Sequence, residues 1–182
     1  MPVPWKALAI SGVAVGIGGA LLLAHSSTKP SVSSPRVALI GDSYAVGLGP
    51  ELAKLLPGFR YEGHTGSSTS AWAAHAAACG ACGDWLAAFK PDVVLVSLGV
   101  NDGASPNPAN FQTLVQAIHG IGAKVVWIEP PAAVSTPSRA VIESLGVPVV
   151  PGTTIPLAID GLHPRIYAPW AAEIARALRA IA

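Results

Sequence analysis

Short apolar runs recur along this chain at residues 37–40, 93–96, 125–128 and 147–150, each followed by glycine, proline or a polar side chain. A four-residue run without alternation predicts a strand buried on both faces. Residues 59–62, Phe-Arg-Tyr-Glu, alternate instead and predict an edge strand. Between the runs, helical character falls on residues 49–56, 71–78, 85–90, 110–121 and 138–144. The closing segment, 169–182, has proline near its first turn, where a missing N–H is tolerated. It gathers Trp170, Ile174, Leu178 and Ile181 on one stripe, with Arg176 and Arg179 elsewhere on the wheel. Strands alternating with helices predict an α/β domain, a parallel sheet covered on both faces and joined by right-handed crossovers. Ligands of such sheets bind beyond the carboxyl ends of the strands. Ser43, Gly66 and Asn101 follow the first three predicted strands at that end. No internal repeat and no second folded domain is visible.

The 182 residues carry 51 % hydrophobic and 12 % charged side chains, with a formal net charge of +1. That balance has no nucleic-acid signature. Part of the apolar excess is local: residues 7–24 form an uncharged run of Ala, Gly, Leu, Ile and Val. Its length reaches the lower limit for crossing a bilayer as a helix. Two readings follow, an uncleaved membrane anchor or a signal peptide removed on export. The long apolar core favours the anchor, while Ala24-His25-Ser26 offers small residues where a peptidase could cut. Either way the globular part is expected outside the cytoplasm, anchored, or secreted or periplasmic after cleavage. The tract 26–35, rich in Ser and Pro, buries almost nothing and reads as a tether. The expected organisation is a hydrophobic segment over 1–25, a linker over 26–35 and one domain over 36–182.

Cys79 and Cys82 lie in a Cys-Gly-Ala-Cys stretch. A local disulfide, half a metal site, a redox pair and two free thiols are the readings open to it. Zinc would need two further ligands that no other Cys or paired-His spacing supplies. A redox pair would open a helix after a strand, whereas residues 73–78 suggest a helix ending there. The disulfide is the preferred reading, in keeping with export.

The chemistry-bearing residues fall into four blocks: Gly41-Asp42-Ser43, Gly66, Gly99-Val100-Asn101-Asp102 and Asp160-Gly161-Leu162-His163. A serine hydroxyl is a weak nucleophile until an imidazole takes its proton and a carboxylate holds that imidazole in the useful tautomer. Asp160 and His163, three apart with Gly161 between and Pro164 after, can supply that pair. No Gly-x-Ser-x-Gly elbow occurs. From Val37 to the C-terminus the four blocks resemble those of the SGNH/GDSL hydrolase family. The resemblance implies a three-layer α/β/α sandwich of flavodoxin-like type, with a central parallel sheet of about five strands. It implies Ser43, Asp160 and His163 as the triad, and the Ser43 N–H, the Gly66 N–H and the Asn101 amide as the oxyanion hole. Asp42 is then a turn or cap residue. Gly63 competes with Gly66, which is preferred because Thr69 and Trp72 follow it at family-like distances. Tyr44, directly after the serine, and His64, close to the Gly66 loop, are candidate substrate contacts.

These blocks predict a serine esterase that needs no metal and no organic cofactor. An O-acyltransferase or a lysophospholipase/lipase would use the same acyl-enzyme, and an inactive carbohydrate-binding module would have lost at least one of the residues. The small domain and short connections leave little material for a lid, which favours a short acyl group, acetyl above all, on a carbohydrate or small alcohol. The membrane enters as a partner only if residues 7–24 are retained.

Overall fold

The computed structural model describes residues 34–79 and 84–181. Among them five strands form one parallel sheet: β1 (Val37–Gly41), β2 (Arg60–Gly63), β3 (Val93–Ser97), β4 (Lys124–Ile128) and β5 (Val149–Val150), in the order β2-β1-β3-β4-β5. Six helices alternate with them: α1 (Ser43–Leu55), α2 (Thr69–Cys79), α3 (Asp84–Phe89), α4 (Pro108–Gly120), α5 (Ser138–Glu143) and α6 (Ala168–Ile181). β1 and β3 are buried at every position, as their unbroken apolar runs require.

Successive strand residues point to opposite faces, so each run feeds two cores. Ala38, Ile40, Val94, Val96 and Trp127 pack with Trp72, Leu86, Phe111 and Ile142 of α2, α3, α4 and α5. Val37, Leu39, Leu95 and Val126 pack with Leu48 and Leu52 of α1 and with Trp170 and Ile174 of α6. The result is the three-layer α/β/α sandwich with a parallel five-stranded sheet. Trp127 at the centre stacks on Phe111 and donates its indole N–H to the Leu98 carbonyl, 3.1 Å away.

Two elements differ from the sequence pattern. The run 147–150 yields only the two-residue β5, because Pro148 and Pro151 bracket it and proline cannot donate to a ladder. Helix α1 begins at Ser43, six residues before the predicted start at Gly49, and continues through Gly47, Gly49 and Pro50. Glycine and proline are unfavourable in a helix interior, yet the glycines serve packing. A Cβ on Gly47 would lie 2.2 Å from the Tyr167 ring, and one on Gly49 2.2 Å from the Tyr61 ring. No described helix is long and apolar enough to cross a membrane. Residues 7–24, most of the tether, and Cys82 lie outside the described residues, as does the side chain of Cys79, so the anchor and disulfide expectations rest on sequence.

Candidate active site

The carboxyl ends of β1, β2 and β3 converge on one place. β1 ends in Gly41, where a Cβ would lie 2.2 Å from the Ser97 carbonyl oxygen of β3, so the two strands meet closely only because a glycine stands there. The next residue, Asp42, donates its backbone N–H to that same oxygen at 3.1 Å. Its side chain caps α1, Oδ1 accepting the Tyr44 N–H at 2.9 Å. Ser43 is thereby the first helical residue, with its backbone N–H at the end of the helix that favours negative charge.

The partner of Ser43 comes from the other end of the chain. Between β5 and α6 the backbone forms a hairpin-like loop: Ala158 N–H donates to the His163 carbonyl (2.7 Å) and Arg165 N–H to the Pro156 carbonyl (2.9 Å). Its tip closes with the Gly161 N–H on the Ala158 carbonyl at 3.0 Å, and Gly161 takes φ +65°, a conformation that favours glycine. Asp160 Oδ1 accepts the backbone N–H groups of Leu162 and His163, both at 3.0 Å. Its Oδ2 lies 2.7 Å from His163 Nδ1, and His163 Nε2 lies 2.8 Å from Ser43 Oγ. The imidazole is held at both nitrogens. The hydrogen bond to His163, with the two backbone N–H groups, draws the Asp160 carboxyl down to about 2, although it is exposed to solvent.

The β2 loop turns at His64–Thr65–Gly66–Ser67, where Ser67 N–H donates to the His64 carbonyl at 3.0 Å and Gly66 takes φ +76°. Gly63 is different. It belongs to β2, pairs with Gly41, and would place a Cβ 2.7 Å from the Val46 backbone nitrogen. Strand packing accounts for Gly63, and Gly66 is the glycine of the loop. Asn101, beyond β3, donates its side-chain N–H groups to the Ser67 carbonyl at 3.0 Å and to Asp42 Oδ2 at 3.3 Å. Asp102 accepts from the Thr69 N–H (3.0 Å) and the Thr69 hydroxyl (2.8 Å), so its carboxylate sits on the first residue of α2. These bonds tie the loops after β1, β2 and β3 to one another.

Asp42 is completely buried, and that burial pushes its carboxyl up to about 7. The Tyr44 N–H and the nearby His163 pull the other way, while Asp102 raises it further. Two carboxyls of one site are thus displaced in opposite directions, the buried one up and the exposed one down.

Tyr44 does not sit where a substrate contact was expected. It is 1 % exposed, its hydroxyl donates to the Leu162 carbonyl at 3.0 Å, and its ring meets His163 and Trp170 edge-on with centroids 5.7 and 5.4 Å apart. The apolar ring is drawn into the core between α1 and α6 and supports the hairpin from beneath. His64 is exposed beside the Gly66 loop. Its Nε2 lies 2.7 Å from Glu62 Oε1, and its ring lies 5.5 Å from that of Trp72. Sequence reasoning missed the Asp102–Thr69 bond and the link from Asp42 to Asn101. The only signal was an Asn-Asp pair after a strand, which says nothing about a partner 33 or 59 positions away. Among the described residues no group of three His, Cys, Asp or Glu side chains could hold a metal ion.

A Ser–His–Asp arrangement at the carboxyl edge of a doubly wound parallel sheet defines the class, an α/β enzyme acting on ester bonds. The chain belongs to the GDSL-like lipase/acylhydrolase family, whose model matches residues 39–182. No curated protein matches the sequence. Among solved structures, an acetyl xylan esterase is similar at 15 % identity and TM-score 0.58, over 79 % of this chain and 99 % of that one. An acetylxylan esterase from Geobacillus stearothermophilus, a catalytic mutant, is similar at 16 % identity and TM-score 0.54, over 79 % and 92 %. The C-terminal catalytic domain of Streptococcus pneumoniae peptidoglycan O-acetyltransferase A is similar at 17 % identity and TM-score 0.50, over 81 % and 92 %. At these identities the likeness is one of fold.

Proposed function

We propose that this protein is a serine esterase that removes a short acyl group, acetyl above all, from a carbohydrate ester outside the cytoplasm. The unbroken line from Ser43 Oγ through His163 to Asp160, at 2.8 and 2.7 Å, carries the reading. His163 Nε2 takes the hydroxyl proton as Ser43 Oγ attacks the ester carbonyl, and Asp160 holds the proton on Nδ1 and stabilises the imidazolium. The oxyanion is received by the backbone N–H groups of Ser43 and Gly66 and by the Asn101 amide. Of Asn101's two bonds the longer, to Asp42, is the one an oxyanion replaces. His163 then protonates the departing alcohol, and the acyl-enzyme is cleared when His163 activates a water molecule.

The acetyl and carbohydrate parts of the reading draw on the open architecture. The longest link near the site, between β5 and α6, is spent on the hairpin that carries Asp160 and His163, not on a cover for a long acyl chain. Two of the similar folds act on acetylated xylan by name, which agrees with that choice. Export draws on the apolar segment 7–24 and the Ser/Pro tether. Ser43→Ala should abolish p-nitrophenyl acetate hydrolysis with the circular dichroism spectrum unchanged, and a fluorophosphonate should label Ser43; retained activity removes Ser43 as nucleophile. A p-nitrophenyl ester series should favour acetate over long chains, and a preference for long chains turns the reading to a lipase. Transfer of the same acyl group to a sugar hydroxyl is the second reading, suggested by the fold shared with an O-acetyltransferase. Product analysis with acceptor sugars present separates it from hydrolysis.

A further inference from the structure

Beside the proposed site, the open edge of the sheet carries two depressions that meet at one side chain. Phe59, Arg60, Tyr61, Glu62 and Trp85 line the first, about 440 Å³ in volume. Glu62, His64, Ser67, Trp72 and His75 are among the residues lining the second, of about 380 Å³. Glu62 is common to both. One of its oxygens pairs with His64 Nε2 at 2.7 Å, and the other accepts the indole N–H of Trp85. The second depression also shares Ser67 with the site, since the Ser67 carbonyl accepts from the Asn101 amide. The two depressions adjoin at Glu62, and the second borders the loop holding the proposed oxyanion donors.

We propose that the two depressions act as one groove that binds the glycan carrying the ester, as a stretch of uncharged sugar residues. The inference rests on the carbohydrate-ester reading above. Trp85 stands at the far end on the same sheet face as Glu62, with the stacked Phe59 and Tyr61 rings round the strand edge on the opposite face, Tyr61 being 43 % exposed. Such rings offer flat apolar surface for the C–H faces of pyranose rings. The Glu62–His64 pair at the middle supplies a hydrogen-bond acceptor and a ring nitrogen to neighbouring hydroxyls. Charge narrows the ligands. The Glu62 carboxylate at the waist disfavours uronates and phosphates there and opposes burial of a lipid tail, while the Arg60 guanidinium, still charged, lies over the Phe89 ring at the far end, 5.2 Å from its centroid. Among the described residues β2 pairs with β1 alone, so an extended peptide adding to that edge is the competing occupant.

The test compares acetyl release from acetylated xylan with hydrolysis of p-nitrophenyl acetate, using the whole chain. In Trp85→Ala, and separately in Tyr61→Ala with its fold checked by circular dichroism, the ratio of the two kcat/KM values should fall about tenfold, as lost ring contacts of this kind would give. Ser43→Ala protein should bind xylohexaose or cellohexaose in titration calorimetry, and Trp85→Ala in that background should not. An unchanged ratio in both variants, or capture of an unrelated extended peptide without any hexasaccharide, overturns the groove. If the ratio is unchanged while Ser43-dependent acetate hydrolysis persists, the groove fails and the esterase stands. If no acetyl ester is cleaved and Ser43 takes no fluorophosphonate, the esterase reading itself has failed.

Discussion

Ser43 and His163 are 2.8 Å apart, yet they are held by opposite means. The serine end is built from secondary structure: a fully buried strand, a glycine that lets β1 close on β3, and a helix capped by a carboxyl that water does not reach. The histidine end is an exposed hairpin held by its own short-range bonds and by one tyrosine hydroxyl from below. The electrostatics divide the same way. Asp42 is raised to about 7, chiefly by burial, and Asp160 is lowered to about 2, chiefly by its bond to His163. The buried carboxyl serves to shape the loops, and the exposed one serves to hold a charge. In the proposed mechanism the nucleophile needs a fixed position, whereas the base changes protonation state in every cycle, which access to solvent favours.

Four experiments test that contrast, beginning with the largest effect. Asp160→Asn, at the exposed end, leaves the hairpin but favours the wrong imidazole tautomer, and kcat should fall about 10⁴-fold with little change in the urea unfolding midpoint. Asn101→Ala, at the buried end, should cost about 10²-fold to 10³-fold in kcat. It should also lower stability, because Asp42 and the Ser67 carbonyl each lose a donor; a stable Asn101→Ala protein would contradict the division. Tyr44→Phe cuts the bond between the two ends. It should cost about 1 kcal/mol in unfolding free energy and lower kcat/KM several-fold, roughly in line with that loss.

The fourth test is the pH dependence of stability, where the two carboxyls act in separate windows. Asp42 holds its proton in the folded state long after the unfolded chain has lost it. Its contribution is therefore full below about pH 4 and fades as pH rises towards 7. Asp160 is the reverse, contributing above about pH 4 and fading as pH falls towards 2. Urea midpoints of the parent should decline between pH 5 and pH 8, and Asp42→Asn should flatten that decline. A decline that survives in Asp42→Asn would show that another group titrates.

Much of the sheet was legible because a strand buried on both faces has no polar position to interrupt it, as at 37–40 and 93–96. The short β5 and the early start of α1 were less so. At 147–150 two prolines outweighed the valines, and at 47–50 two glycines and a proline disfavour a helix interior, yet Gly47 and Gly49 admit Tyr167 and Tyr61. In the site, Asp160 and His163 were readable together because their contacts are local, three residues apart through a tight turn. Tyr44 was misjudged because its neighbour in sequence is the serine, while its neighbours in space are Leu162, His163 and Trp170.

By itself the sequence determined the candidate reacting groups, the order in which they follow the strands and the layers that enclose them, since apolar periodicity and short-range turn chemistry act along the chain. The closure between Ser43 and His163, 120 residues apart, was decided only by the tertiary structure. So were the three-way tie of Asp42, Asn101 and Ser67, and the two depressions that adjoin at Glu62. Those features depend on how strands and loops distant in sequence pack, and on a burial that turns Asp42 from an ordinary cap into a carboxyl held near 7.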